Sequence, residues 1–192
     1  MRRFVVLGHE APVDADFALE DLPGAGRLDL LCRAVADALL TSHGIREDAE
    51  AWLVLRDRLT VRVAGGRVRG LAPDERAVAG LLRKALGEAG RAVGAQAVEA
   101  SPGVEVAKGG LERALEEAVG PVVWLHGDGD DVGAFDPDGS ATFVLSDHRE
   151  FTDAEAELLA ERADRRLSLG PTALQADQAV AVVHNHLDRL GR

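Results

Sequence analysis

Apolar and polar positions along the chain lay out short strands separated by helices. Phe4-Val5-Val6-Leu7 is a continuous apolar run, which predicts a buried strand over residues 3–7. Residues 12–26 are rich in Asp, Pro and Gly and read as a loop. Leu28, Leu31, Val35 and Leu39 recur at helical spacing, predicting a helix over 28–43 with Gly44 as its C′ residue. Strands are expected at 52–56 and 59–63, with a turn at Gly65-Gly66. Asp74, just after Pro73, opens a helix to about Leu86. The small, Gly/Ala-rich residues 87–100 read as a weak helix or linker, and a helix is expected from about Leu111 to Val119.

The second half is more regular. PVVWL at 121–125 suits a central parallel strand that ends in the acidic loop HGDGDD at 126–131. TFVL at 142–145 is a second such strand, ending in Ser146-Asp147-His148. A helix over 153–163 has Thr152 as its N-cap, Leu167-Ser168-Leu169 is a third short strand, and a final helix runs from about Thr172 to Leu187. Strand, loop and helix in succession predict an α/β fold with a mostly parallel sheet and helices on both faces. Ligands of such sheets sit at the carboxyl ends of the strands, here the three loops just named. The Gly170-Pro171 turn offers backbone groups rather than charged side chains, which suits a flat, mostly neutral ligand.

Composition narrows this picture. A chain of 192 residues is expected to form one domain, 1–192, with an adequate core. No apolar run approaches the ~20 residues of a spanning helix, and the N-terminal apolar run is too short for a signal peptide, so a cytoplasmic protein without a membrane partner is expected. The single cysteine, Cys32, excludes an internal disulfide or a Cys-based zinc site, and beside Leu30-Leu31 it reads as a buried small hydrophobe.

The net charge of −11 argues against binding phosphate, which draws on Lys and Arg to displace counterions. Its distribution changes that reading. Residues 1–96 hold 14 basic and 14 acidic residues, whereas residues 97–192 hold 8 basic and 19 acidic. RNA, if bound, is expected at the cluster Arg56, Arg58, Arg62, Arg67 and Arg69; the other reading of this cluster is a solvated hairpin face. With only Lys84 and Lys108 as lysines and 4% aromatic residues, the acidic composition also suits concentrated salt, where stability should rise with molar KCl.

Other motifs exclude more than they assign. The loop at 128–133 matches a calcium loop at Asp128, Asp130 and Gly133, but Val132 and Gly139 stand where ligands are needed, so no metal is expected. His184 and His186 are two apart on a helix and face differently, one toward the core and one outward. No Walker loop, dinucleotide-binding Gly motif or nucleophile elbow is present. More suggestive is DLPGAGRLDLLCR at 21–33, a Gly-rich loop entering a helix with Arg27, Asp29 and Arg33 near its start. Arg27 could meet a phosphate at the helix N-terminus, and Asp29 could accept a proton or hydrogen bond from a ligand or simply compensate the helix dipole.

With SHGIR at 42–46, PDER at 73–76, Ser101-Pro102-Gly103, Leu125-His126, Ser146-Asp147-His148 and residues 166–188, this stretch resembles the archaeal tRNA (pseudouridine(54)-N1)-methyltransferase family of the SPOUT superfamily. The resemblance covers nearly the whole chain. It implies a deep C-terminal trefoil knot, a homodimer packed around it, S-adenosyl-L-methionine as cofactor, and the T-loop of tRNA as substrate. Cofactor contacts are implied at Leu125, Ser146, Leu167, Ser168, Leu169, Gly170, Pro171, Thr172 and Ala179. Two positions depart from the family: Ser146 stands where glycine is frequent and Ala179 where cysteine is frequent.

The chemistry implied is consistent with these residues. Methyl transfer from a sulfonium to a ring nitrogen is a direct displacement, so positioning does most of the work. The N1–H of pseudouridine must lose its proton, which an acceptor would assist. Asp29 is therefore expected to orient the substrate or accept that proton, with Arg27 and Arg33 holding phosphate or base. A loop nucleotide must also be splayed out to be reached. Two rival readings stay open: a knotted methyltransferase acting on a ribosomal RNA pseudouridine, and a non-catalytic RNA-binding protein of the same fold.

Overall fold

The computed structural model describes residues 1–94 and 96–192. Its strands are β1 (Arg2–Gly8), β2 (Leu40–Thr41), β3 (Gly44–Ile45), β4 (Ala49–Leu55), β5 (Leu59–Ala64), β6 (Val98–Ser101), β7 (Val104–Lys108), β8 (Val122–Asp131), β9 (Ala141–Ser146) and β10 (Arg165–Ser168). All but β2 and β3 join one sheet in the order β10-β8-β9-β1-β4-β5-β7-β6. From β10 to β4 every neighbouring pair is parallel, and from β4 to β6 every pair is antiparallel. The fold is thus α/β with a mostly parallel sheet. All seven residues of β1 are buried, as expected for a central strand covered on both sides.

Alternation along β1 divides two cores. Phe4 and Val6 face the helices α1 (Leu28–Leu39), α2 (Glu75–Glu88) and α5 (Ala176–Arg189). Val5 and Leu7 face α3 (Leu111–Glu116) and α4 (Asp153–Arg162), together with Trp52 and Trp124. Helices therefore cover both faces. A buried carboxylate, Glu50, ties the second core together: Arg3 donates to it at 2.8 Å, Trp52 Nε1 at 3.0 Å, and Arg62 also donates. Arg3 lies 4.3 Å over the Trp52 ring.

Several boundaries differ from the sequence expectation. The first helix stops at Leu39 rather than 43, because Leu40 turns extended and the Arg46 N–H takes the Leu39 carbonyl at 2.7 Å. Gly44 is therefore no helix cap; it pairs with Thr41 in the small β2–β3 hairpin. Residues 87–103 include β6, and Val104-Glu105-Val106 alternate in β7, a period that does signal a half-buried strand. The third helix ends at Glu116, not Val119. The last helix begins at Ala176 rather than Thr172, leaving residues 169–175 as an extended wall.

The largest correction concerns residues 126–131, which are not simply a surface loop but the far end of β8. Arg166 pairs with Trp124, yet Leu167 pairs with Asp130, so residues 125–129 stand out from the β8–β10 ladder as a wide bulge. Where the strands rejoin, a Cβ on Gly129 would lie 2.5 Å from the Leu167 backbone. Only glycine lets the two chains approach that closely. Of the C-terminal histidines, His184 is buried against Phe4 and the Ala38 carbonyl, and His186 is half-buried. Burial first, with the field of nearby Arg46, pushes His184 down to about 4. Cys32 is buried, and desolvation raises its thiol to about 12, which makes it inert.

Candidate active site

The parallel strands all end on one edge of the sheet, with Leu7 of β1 beside Ser146 of β9, and Gly8 beside Leu55 of β4. At the ends of β8, β9 and β10 this edge opens into a cleft of about 410 Å³. Three chain segments wall it: the β8 bulge (Leu125, His126, Gly127), the β9–α4 loop (Ser146 to Phe151) and the stretch after β10 (Ser168 to Leu174), with Ala176 and Ala179 of α5 closing the floor.

Every position expected to hold the cofactor lines this cleft except Leu167, which is 4% exposed and packs into the core. The sequence could have placed Leu167 inward, since it alternates with its neighbours on a strand. Sequence reasoning missed His126, Glu150 and Phe151, because their arrival depends on the bulge and on the path of the β9–α4 loop. Phe151 stands edge-on to Trp124 with ring centroids 5.7 Å apart, and Arg166 holds His126 through a 2.6 Å hydrogen bond.

The residues present suit an adenosine-type cofactor. Leu125, Leu145, Leu169, Pro171 and Leu174 give apolar walls, while backbone groups supply polar contacts. Gly170 has φ 130°, and a Cβ there or on Gly127 would meet nothing within 4 Å, so both glycines leave the cleft open. The Ser146 hydroxyl donates to the Arg149 carbonyl at 2.6 Å, so its polar group is satisfied within the β9–α4 loop. Glu150 supplies an exposed carboxylate on the lining, suited to a cationic or hydroxyl-bearing ligand.

The β9–α4 loop is fastened from behind. His9, at the end of β1, donates its backbone N–H to Asp147 at 2.9 Å, and its ring bridges Asp147 at 3.0 Å and Glu155 at 2.9 Å. The Asp147 bond foremost, then Glu155, outweigh burial and push the His9 imidazole up to about 9. Burial alone would raise the Asp147 carboxyl, but the bonds from His9 and from the Arg149 N–H hold it below the usual carboxylate range. Glu155 also closes a capping box with Thr152 at the start of α4. This clamp was not read from sequence: His9 and Asp147 are 138 residues apart.

Arg27, Asp29 and Arg33 do meet. Arg27 donates twice to Asp29, both at 3.0 Å, and Arg33 donates to it at 3.2 Å. Arg33 also reaches Asp177 at 2.8 Å, Gln175 at 3.1 Å and Glu75 at 3.2 Å, which ties this group to the start of α5 beside the cleft floor. Arg27 is held in the left-handed region at φ 59°, a conformation that costs a non-glycine residue about 1 kcal/mol or more and is enriched at functional sites. Burial would raise the Asp29 carboxyl, but Arg27 and Arg33 outweigh it and hold it low.

The arginine cluster divides. Arg62 is held by Glu50 and Glu105, Arg67 by Glu99 and Glu105, and Arg69 bonds the carbonyls of Arg67 and Val68. Arg56 and Arg58 remain at the tip of the β4–β5 hairpin. No helix among the described residues is long and apolar enough to cross a membrane.

An α/β sheet with a cleft at its carboxyl edge is the usual place for a small ligand in this fold class, and likeness to known proteins sharpens this. A solved structure, "Crystal structure of Archaeoglobus Fulgidus Nep1 bound to S-adenosylhomocysteine", shares the fold with a TM-score of 0.69 at 15% identity, covering 98% of both chains. The family described as "Putative SAM-dependent RNA methyltransferase" matches residues 1–191, so the chain belongs to that family. Curated relatives named tRNA (pseudouridine(54)-N(1))-methyltransferase include those of Halobacterium salinarum (57% identical, over 100% of this chain and 98% of that protein) and Haloferax volcanii (52%, 100% and 98%). The relative of the same name from Methanocella arvoryzae is 40% identical over 98% of this chain and 100% of its own.

Proposed function

We propose that this protein is a single-domain, homodimeric cytoplasmic enzyme that methylates N1 of pseudouridine 54 in the T-loop of tRNA, using S-adenosyl-L-methionine. The observation that carries this is the convergence of Leu125, Ser146, Ser168 to Thr172 and Ala179, from three distant segments, on one cleft. The names of the full-length relatives supply the substrate. A knotted C-terminal region rests on the family resemblance, and exposed Leu174 and Leu190 offer apolar surface for a second copy.

Bound in the cleft, the cofactor would supply a methyl group activated on sulfonium. The chain supplies position. Residues 168–172 and Ala179, which line the cleft, would hold the cofactor. Arg27 and Arg33 hold the substrate's phosphate or base, and Asp29, clamped between them, keeps both guanidinium groups aimed. Against burial, Arg27 and Arg33 hold its carboxyl below the usual range, which makes the carboxylate a weaker base and favours this orienting role over proton acceptance.

The test is mass spectrometry of nucleosides after incubating the protein and cofactor with tRNA that carries pseudouridine 54. The expected product is N1-methylpseudouridine, absent when uridine replaces pseudouridine. Methylation of a ribosomal RNA pseudouridine instead, or no cofactor binding by calorimetry, sinks the proposal. Asp29→Asn should keep cofactor affinity and lower turnover about tenfold or more; full turnover removes Asp29 from the site.

A further inference from the structure

A second cleft, of about 530 Å³, opens on the same edge of the sheet, between the end of β1, the β4–β5 hairpin tip and the start of α4. Its size is within the range of ligand sites. Strand pairing locates it: Ser146, Leu7 with Gly8, and Leu55 end adjacent strands, so the hairpin tip begins roughly 10 Å, two strand spacings, from the wall of the cofactor cleft. The two clefts are neighbours along one continuous rim.

Charge accounting decides what the second cleft could hold. Its acidic lining residues all have partners within the protein. Glu155 accepts from the His9 ring and from the Thr152 N–H. Asp57 accepts from the Leu111 N–H at 2.7 Å, and Glu10 pairs with Arg149. The cations are less committed. Arg56 donates one N–H to the Glu10 carbonyl at 2.9 Å, which fixes its guanidinium on the cleft wall and leaves its other donors free. Among the described residues, neither Arg58 nor Lys108 has a carboxylate partner, and both are exposed. They stand together, since Leu59 pairs with Lys108 and the Gly109 N–H bonds the Arg58 carbonyl.

The backbone is set for display. Arg56 and Asp57 both lie in the left-handed region, at φ 49° and 53°, where asparagine and glycine are the usual residues of such a tight hairpin turn. The positive end of the α4 dipole, at Thr152 and Ala154, lines the opposite wall.

We infer that the hairpin tip at the rim of this cleft binds the phosphodiester backbone of the RNA substrate, with Arg56 on the cleft wall and the exposed Arg58 and Lys108 outside it contacting one or two phosphates beside the nucleotide presented to the cofactor cleft. This rests on the RNA substrate proposed above. It also explains how an acidic protein engages RNA: within the hairpin cluster, the paired Arg62 and Arg67 contribute structure, and Arg56 and Arg58 at the tip contribute affinity.

The test compares wild type with Arg56→Gln/Arg58→Gln/Lys108→Gln in binding pseudouridine-containing tRNA at several KCl concentrations. Each lost phosphate contact lowers the slope of log K against log[KCl] by about 0.7–0.9. The expected result is a slope reduced by about one to two, affinity at low salt at least tenfold weaker, KM for tRNA raised correspondingly, and kcat and cofactor affinity unchanged. Arg67→Gln, which removes a guanidinium already held by Glu99 and Glu105, should leave the slope as in wild type. An unchanged slope in the triple variant overturns the inference. If the triple variant also loses cofactor binding, Arg58→Glu alone decides the matter by the same slope, because Arg58 is exposed and touches no part of the cofactor cleft. Should wild type bind tRNA but not methylate it, the enzymatic proposal fails while the slope still judges the phosphate site.

Discussion

The two clefts on the carboxyl edge are built from opposite materials. The cleft at the ends of β8, β9 and β10 is lined mainly by glycines and apolar side chains, with Asp147, Arg149 and Glu150 at one wall, and its surface depends on where three chain segments run. The hairpin cleft uses long charged side chains on a two-strand turn, and its character depends on which charges are already paired. On the functions proposed above, the first would hold one small ligand by shape and the second would sit beside a polyanion held by charge. A neutral, shaped cleft tolerates side-chain changes such as Ser146 but not changes in backbone path. A charged cleft tolerates backbone variation but not loss of its cations.

The sharpest test of the shape-built cleft is Gly129→Val. The added side chain would collide with the Leu167 backbone where β8 rejoins β10, and overpacking of this kind should cost about 3 kcal/mol of stability by denaturant unfolding. A near-neutral result would show that the β8 bulge does not depend on that close pass. Next, Gly170→Val places a branched side chain at φ 130° in open cleft space. Cofactor affinity should fall about a hundredfold by calorimetry, while the salt slope of tRNA binding stays as in wild type. Equal losses in both would mean that the clefts are not independent.

The His9 clamp joins the clefts, and it should show in pH dependence. Its imidazole is raised from 6.5 to about 9 in the folded protein, so its stabilisation is fully present below pH 6.5 and is lost as pH rises through 9. His9→Gln should remove that slope from the stability profile, cost about 1–2 kcal/mol below pH 6.5, and weaken cofactor binding severalfold. A wild-type profile flat between pH 6.5 and 9 would show that the clamp is not charged. The smallest effect is expected from Ala179→Cys, a change of one sulfur atom on the cleft floor, which should move cofactor affinity less than threefold. A tenfold gain would mean that the cysteine frequent at this position in the family does more than fill space.

How much of this was legible in the sequence follows from the range of each interaction. Thr152 as an N-cap, Asp74 as an N-cap and the strands β1, β4, β5, β8 and β9 follow from side-chain periodicity and local hydrogen bonding, and the structure has them. The positions taken from family resemblance line one cleft, apart from Leu167. The strands β6 and β7 escaped because they are short, although Val104-Glu105-Val106 carried the period. The early end of α1 escaped because a carbonyl capture by Arg46, not a local glycine, terminates it.

The sequence by itself determined the types of most elements, the parallel character of the second half, the location of a cleft at the strand ends and the uneven charge. These depend on residues a few positions apart, or on net counts. Tertiary structure alone decided which arginines are free, since Arg62 and Arg67 meet their carboxylates across strands while Arg56 and Arg58 do not. It alone brought His9 to Asp147 and Glu155, and opened the bulge that lines the cofactor cleft. Periodicity reports the face on which a residue lies; ion pairing and strand register are set by partners far along the chain, and only the packed sheet selects them.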